Sequence, residues 1–320
     1  MSRNGVARTL AGVTTAATAG AGAAWLLATY IVRQITAPVQ RLPSGRGFTP
    51  FETGATWEEV SFTTEGGTRL PGWLLARDDT APAILACGGY RGERADLLGI
   101  SSSLWRAGFS VLLFDYRGHG HAVHAALRTP VTLGYRELAD AQAALRYLRH
   151  RRPHAPLGAI GFSMGASVAL MLAAREPDVR CVVADSPFTS QREIVRHGVT
   201  RRLGRQPFRG TSLLADRLAD LVLDLVDVLL QRRFGFRFDD VHPLRDATRL
   251  VPRPLLLIHG EDDEVVPASH ARRIAAAAGN AGVSLETWFV PDCDHCGAYF
   301  LDRPRYCGRV AAFFRKYLHT

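Results

Sequence analysis

The stretch "GFSMGAS" (residues 161–167) follows the apolar run Leu157-Gly158-Ala159-Ile160 and sets Ser163 between two glycines. A loop serine needs no such neighbours. A serine on a tight strand-to-helix turn does, because a Cβ at either flanking position would strike the adjoining strand or helix. The stretch therefore predicts a buried strand over 157–162, a sharp turn at Ser163, and a helix opening at Met164 or Gly165.

The surrounding sequence has the rhythm this turn requires. Short apolar runs predict strands at 57–64, 69–76, 83–87, 110–115, 157–162, 181–185, 254–259 and 285–290. From Ala83 onward these runs ("AILAC", "VLLF", "LGAIGF", "CVVAD", "PLLLIH") are continuous, not alternating, which marks strands buried on both faces of a parallel sheet. Helical patterns at about 94–107, 135–150, 164–175, 268–279 and 303–318 fall between them. Such alternation predicts a doubly wound α/β sheet of eight strands. The first two strands are half-polar and joined by "EGGT" (65–68), so they should form an antiparallel edge.

One long segment interrupts the alternation, at about 188–240. It holds "TSLLADRLADLVLDLVDVLL" (211–230), where Asp216, Asp220, Asp224 and Asp227 recur at helical spacing and share one face. This predicts a helical excursion packed on the body, or a cap over a substrate pocket.

A serine hydroxyl is a weak nucleophile at neutral pH and needs a histidine base oriented by an acid. "LLLIHGEDDEVVP" (255–267) supplies a strand and then Asp262 and Asp263. "LETWFVPDCDHCGAY" (285–299) supplies one more strand and then His295. Serine, acid, histidine is the chain order that a strand-turn-helix serine demands. Asp185, after the strand at 181–185, is the alternative acid. His119, His121 and His124 follow the "DYRGHG" turn and read as loop residues, not metal ligands. Asp115 and Arg117 are expected to form a buried ion pair that fixes this loop.

With these motifs in place, "CGGYRGE" (87–93), "FDYRGHG" (114–120), "GFSMG" (161–165), "HGEDDEVVP" (259–267) and "DHCGAY" (294–299), the chain resembles the α/β-hydrolase superfamily over about 57–318. It is similar to the membrane-anchored branch near serine aminopeptidases and dienelactone hydrolases. The resemblance implies that Asp263 is the acid and His295 the base. It also implies that the backbone N–H groups of Tyr90 and Met164 form an oxyanion hole. The family usually carries His-Gly where Gly88-Gly89 stands here. The implied activity is hydrolysis of a carboxylic ester, thioester or amide through an acyl-enzyme, without metal or organic cofactor, on a small-molecule or lipid-like acyl substrate. Peptide hydrolysis or acyl transfer could run on the same three groups. A catalytically silent membrane module is the non-enzymatic alternative.

The remaining composition narrows the partners. The 320 residues carry a net charge of +9, nearly all from scattered arginine, with Lys316 the sole lysine. No block of the kind that grips nucleic acid is present, and no nucleic-acid partner is expected. Five widely spaced cysteines do not make a disulfide framework. Cys293 and Cys296 form a CxxC without a second ligand pair, which argues against a zinc site. Residues 9–32 contain no charged side chain, predicting an uncleaved single-pass membrane anchor after a flank at 1–8. The most apolar part follows the small-residue site Ala21-Gly22-Ala23, the wrong order for a cleaved signal peptide. Residues 33–55, rich in proline and glycine, read as a linker to a catalytic domain over 56–320.

Overall fold

The computed structural model describes residues 3–38, 48–123, 129–202 and 213–319. In chain order the elements are α1 (Arg3–Thr36), β1 (Trp57–Thr63), β2 (Arg69–Leu75), β3 (Ala83–Cys87), α2 (Leu98–Arg106), β4 (Ser110–Phe114), α3 (Tyr135–Arg151), β5 (Leu157–Phe162) and α4 (Met164–Ala173). They continue with β6 (Val179–Asp185), α5 (Gln191–Arg202), α6 (Leu213–Phe234), α7 (Pro243–Ala247), β7 (Leu255–Gly260), α8 (Ser269–Asn280), β8 (Leu285–Val290), α9 (Ala298–Leu301) and α10 (Arg303–Leu318). Among the described residues the strands form one eight-stranded sheet of order β1-β2-β4-β3-β5-β6-β7-β8. β1 and β2 are antiparallel to their neighbours and the other pairings are parallel.

The continuous apolar runs explain themselves in this sheet. Side chains alternate across a strand, and here each side meets a helical layer. In β3, Leu85 and Cys87 enter one core while Ile84 and Ala86 enter the other. The first core includes α3 and α4; the second includes α2 and α10. α4 is buried along its whole length, so its sequence shows no polar face.

The registers align the carboxyl ends of the central strands. Cys87 pairs with Gly161, Phe162 with Asp185, Asp185 with Ile258, and Gly260 with Val290. The loops after β3, β5, β7 and β8 therefore emerge along one edge, where open α/β sheets build their sites.

The helical excursion after β6 comprises α5 and α6, joined by residues outside those described. The acidic face of α6 meets arginines of α5. Arg192 pairs with Asp224 at 2.8 Å, and Arg196 pairs with Asp216 at 2.9 Å and Asp220 at 3.3 Å. Asp227 instead accepts the Phe238 amide at 2.6 Å.

Two expectations find no support in the structure. For the membrane anchor expected over 9–32, no helix among the described residues is long and apolar enough to cross a membrane. Alanine, glycine and threonine give the segment length without enough large apolar side chains. α1 packs along α6, with Ala28, Ile31 and Val32 buried in the first core. It also continues to Thr36, into the expected linker, and Pro50–Thr53 forms a 3-10 turn capped by Thr49. Second, Asp115 and Arg117 do not pair with each other. Asp115 accepts the Arg94 amide at 2.7 Å and faces its guanidinium at 3.6 Å. Arg117 grips Asp140 of α3, with Nε at 2.8 Å.

Candidate active site

The turn after β5 is forced by close backbone approach. A Cβ on Gly161 would strike the carbonyl of Gly165, and one on Gly165 would strike the carbonyl of Cys87. Ser163 takes φ 55° and ψ −120°, a costly conformation for a residue with a Cβ. Its amide donates to the Asp185 carbonyl at 2.8 Å, which ties the turn to β6.

The structure brings Ser163, His295 and Asp263 together. His295 Nε2 lies 2.8 Å from Ser163 Oγ, and its Nδ1 lies 2.6 Å from Asp263 Oδ2. The carboxylate can only accept, so Nδ1 carries the proton and Nε2 is left to accept the serine O–H. Asp263 Oδ1 accepts the amides of Val265 and Val266 at 2.9 and 2.8 Å. Burial works to raise the Asp263 carboxyl. Hydrogen bonds from His259 and His295, electrostatic attraction to the His295 imidazole and the Val266 amide outweigh it and hold the group well below the usual carboxylate range.

The acid and histidine loops are joined by backbone. Glu261 N donates to Val290 O at 2.9 Å and Asp262 N to Cys293 O at 3.0 Å. Asp262 is thus a spacer, and Asp263 points to the imidazole.

Asp185 sits beneath this arrangement without touching His295. Its carboxylate accepts Tyr306 Oη–H at 2.8 Å and Ser186 Oγ–H at 3.0 Å. Burial pushes its carboxyl upward, partly offset by these two bonds. Ser186 in turn accepts the Cys296 amide at 3.3 Å. The line Tyr306–Asp185–Ser186–Cys296 braces the loop that carries His295.

Two contributors escaped the motif reading. His259 Nε2 donates to Val266 O at 2.7 Å and lies 3.3 Å from Asp263 Oδ2, so Asp263 lies between two imidazoles. The available signal was a lone polar side chain closing the otherwise apolar β7. Ser186, with φ 58°, had no signal beyond following Asp185.

Tyr90 and Met164 also border Ser163. A Cβ on Gly89 would lie 3.7 Å from Ser163 Cβ, which sets the Gly89–Tyr90 backbone beside the serine. Met164 opens α4, so its N–H has no carbonyl one turn back to accept it. His119 is buried against the Tyr116 and Tyr90 rings, His121 faces Asp115, and His124 lies outside the described residues. Among the described residues no group of three or more His, Cys, Asp or Glu side chains is disposed to hold a metal ion. Cys293 and Cys296 are free thiols. Burial, aided by nearby carboxylates, pushes Cys293 up to about 11 and Cys296 well above its ordinary value, the reverse of a redox-active pair.

A cavity of about 510 Å³ opens onto Ser163 and His295. Its walls are mostly apolar, from Phe188, Ile194, Val195 and Val199 on one side and Leu27 and Ile31 of α1 on another. Among the described residues that line it, Arg91 and Arg202 are basic and none is acidic.

The profile described as "Alpha/beta hydrolase family" matches residues 83–309. The chain belongs to this family. It is 32% identical over 224 residues to the Mycobacterium tuberculosis protein Rv2307c, covering 69% of this chain and just under two thirds of that protein, 66%. It is 27% identical to the Escherichia coli protein YfhR, over 84% of each chain. It is also 28% identical over 211 residues to the lysophosphatidylserine lipase ABHD12 of Macaca fascicularis, covering 63% of this chain and 46% of that one. Among solved structures, the Pyrococcus furiosus esterase Pf2001 superposes with a TM-score of 0.68 at 22% identity, covering 89% of this chain and 98% of the other. At that identity the likeness establishes the fold, and it supports the hydrolase architecture read from the motifs.

Proposed function

We propose that this protein is a serine hydrolase of carboxylic esters with an apolar acyl group. The observation that carries the reading is the relay from Ser163 Oγ through His295 to Asp263, at 2.8 and 2.6 Å, at the floor of an apolar cavity. His295 Nε2 takes the proton as Ser163 Oγ attacks the acyl carbon. Asp263, held ionised, keeps His295 in the tautomer that can accept it and stabilises the imidazolium that forms. The amides of Tyr90 and Met164 receive the developing oxyanion, a contribution on the order of 3 kcal/mol per donor. His295 returns the proton to the departing alkoxide, leaving Ser163 acylated. Water, deprotonated by the same imidazole, then releases the acid.

The cavity lining favours an ester over a peptide with a free amino terminus, since none of the described lining residues offers a carboxylate to pair with a substrate ammonium. The similarity to a lysophosphatidylserine lipase favours acyl lipids among the possible esters.

The test is turnover of p-nitrophenyl esters from acetyl to long-chain acyl by the full chain, beside Ser163→Ala and a fluorophosphonate probe. We expect labelling of the wild type alone and a loss of about 10⁴-fold or more in kcat for the variant. Folded wild-type protein that is neither labelled nor active overturns the reading, as does equal activity in the variant.

A further inference from the structure

α1 contributes more than bulk to this site. Leu27, Tyr30, Ile31, Gln34 and Ile35 all line the cavity that opens onto Ser163. Their spacing of three, one, three and one places them on a single helical face. The neighbouring positions Ala28 and Val32 are buried where the helix packs against the body and α6. The last three turns of α1 thus form one wall of the acyl cavity.

The end of the helix is also fastened to the loop beside the serine. The last carbonyls of a helix have no intrahelical donor and carry the negative end of its dipole. Those of Gln34 and Ile35 are taken by residues of the loop after β3. Tyr90 Oη–H donates to Ile35 O at 2.9 Å, and Arg91 Nη2 donates to Gln34 O at 2.8 Å. From α5, Arg202 Nη1 reaches Gln34 Oε1 at 3.3 Å. Arg91 holds φ 62°, a left-handed conformation that its surroundings must maintain, and its guanidinium lies over the Tyr90 ring at 5.0 Å. Burial pushes the Tyr90 phenol upward, so it remains a proton donor across the neutral range. Phenol and backbone amide belong to the same residue, so fixing the phenol restricts where the amide can point.

We propose that α1 is a working part of the active site: its last three turns set the acyl-chain preference, and its terminal carbonyls, through the Tyr90 phenol and Arg91, position the amide that receives the oxyanion. The inference rests on the esterase reading above and deepens it. The Tyr90 hydroxyl is a positioning group, because it acts through the helix carbonyl to which it donates. A cavity wall made by α1 explains how a segment remote in sequence from every motif takes part in substrate selection. Preorganisation explains the clamp, since an oxyanion donor contributes fully only when it is already aimed.

The test uses the full chain with two substitutions, Tyr90→Phe and Ile31→Trp. Rates are expressed per active site titrated with fluorophosphonate, so misfolded protein does not enter them. Tyr90→Phe keeps the ring and removes the bond to Ile35. It should lower kcat about tenfold on acetyl and decanoyl esters alike, with KM within twofold, and weaken a trifluoromethyl ketone inhibitor by a similar factor. Ile31→Trp fills the cavity wall and should lower the decanoyl-to-acetyl ratio of kcat/KM at least tenfold. A helix that only packs on the body would change the number of titrated sites and neither ratio. With an active wild type, a kcat within twofold for Tyr90→Phe or an unmoved chain-length ratio for Ile31→Trp overturns this inference alone. A wild type that is neither labelled nor active removes the esterase reading and this inference with it.

Discussion

The carboxyl edge of the sheet and the helical roof above it are held together by different means. At the edge, backbone meets backbone. Gly165 abuts the Cys87 carbonyl, Gly260 abuts that of Cys293, and Ser163 N donates to Asp185 O. In the roof, over apolar faces buried as elsewhere in the core, the polar contacts run through long side chains. Arg192 and Arg196 reach the aspartates of α6, and Tyr90, Arg91 and Arg202 reach the end of α1. Backbone contacts leave no slack, whereas side-chain pairs on a surface can rearrange around water. The edge should therefore fail abruptly when altered, and the roof should yield by small steps.

The largest effect is expected at Gly165. An added methyl there meets backbone carbonyls of β3 and the loop after it, with no flexible side chain able to give way. Gly165→Ala should destabilise the fold by about 3 kcal/mol, at the upper end of overpacking effects, and displace Ser163 from His295. Urea unfolding and ester turnover check both parts. A variant with wild-type stability and activity would mean that the edge has slack after all.

The same contrast governs what could be read from the sequence. Strand bounds agree with the apolar runs to within two residues, and the loops that carry Ser163, Asp263 and His295 lie together at the carboxyl ends of the strands. Glycines and buried strands record tight backbone contacts at the position where they occur. The roof leaves no such record. The apolar residues of α1 would suit lipid or protein equally, because burial of apolar surface is non-directional. Only the fold supplies α6 and the cavity as what they cover. Ion-pair partners were equally hidden. Arg94 lies between Asp115 and Glu59 because the loop after β3 delivers it there, and α3 delivers Asp140 to Arg117. His259 was visible as a polar residue in an apolar strand, but its partner lies in the loop that follows, and only the folded loop turns back to it.

Where the two regions join, a smaller effect sharpens the comparison. His270 opens α8 of the body, and its Nδ1 accepts the amide of Thr189, at the start of the roof, at 3.2 Å. Thr189 Oγ1 lies 2.8 Å from the same nitrogen. Burial is the main cause that lowers His270 from 6.5 to about 4; Glu193 opposes it, while Arg273, His197 and His259 add to it. The unfolded chain binds this proton as pH falls through 6.5, but the folded protein does not until about pH 4. Stability from this group is therefore complete above pH 6.5 and lost as pH falls toward 4, by roughly 2–3 kcal/mol. Asp263, with its lowered carboxyl, contributes its own loss only below the ordinary carboxylate range. Urea midpoints between pH 7 and 4 should show the decline, and His270→Gln should flatten it. An equally steep decline in the variant would place the acid sensitivity elsewhere.

The smallest effect belongs to the ion-pair ladder between α5 and α6. Arg196 is 38% exposed, and its partners Asp216 and Asp220 are 63% and 47% exposed. Water screens such pairs, and holding two long side chains costs rotamer entropy, so each is worth less than about 1 kcal/mol. Arg196→Ala should lower stability by no more than that, and less at high salt, because the screening length contracts from about 10 Å at 0.1 M to about 3 Å at 1 M, the scale of the contact itself. A double-mutant cycle with Asp220→Ala isolates the pair from the packing of the arginine stem. A coupling below 1 kcal/mol that shrinks with salt fits a roof assembled from independent weak contacts. A coupling above about 2 kcal/mol that resists salt would mean that the ladder acts as a unit. The roof would then be as rigid as the edge, and the cavity between them would have a fixed shape and not an adjustable one.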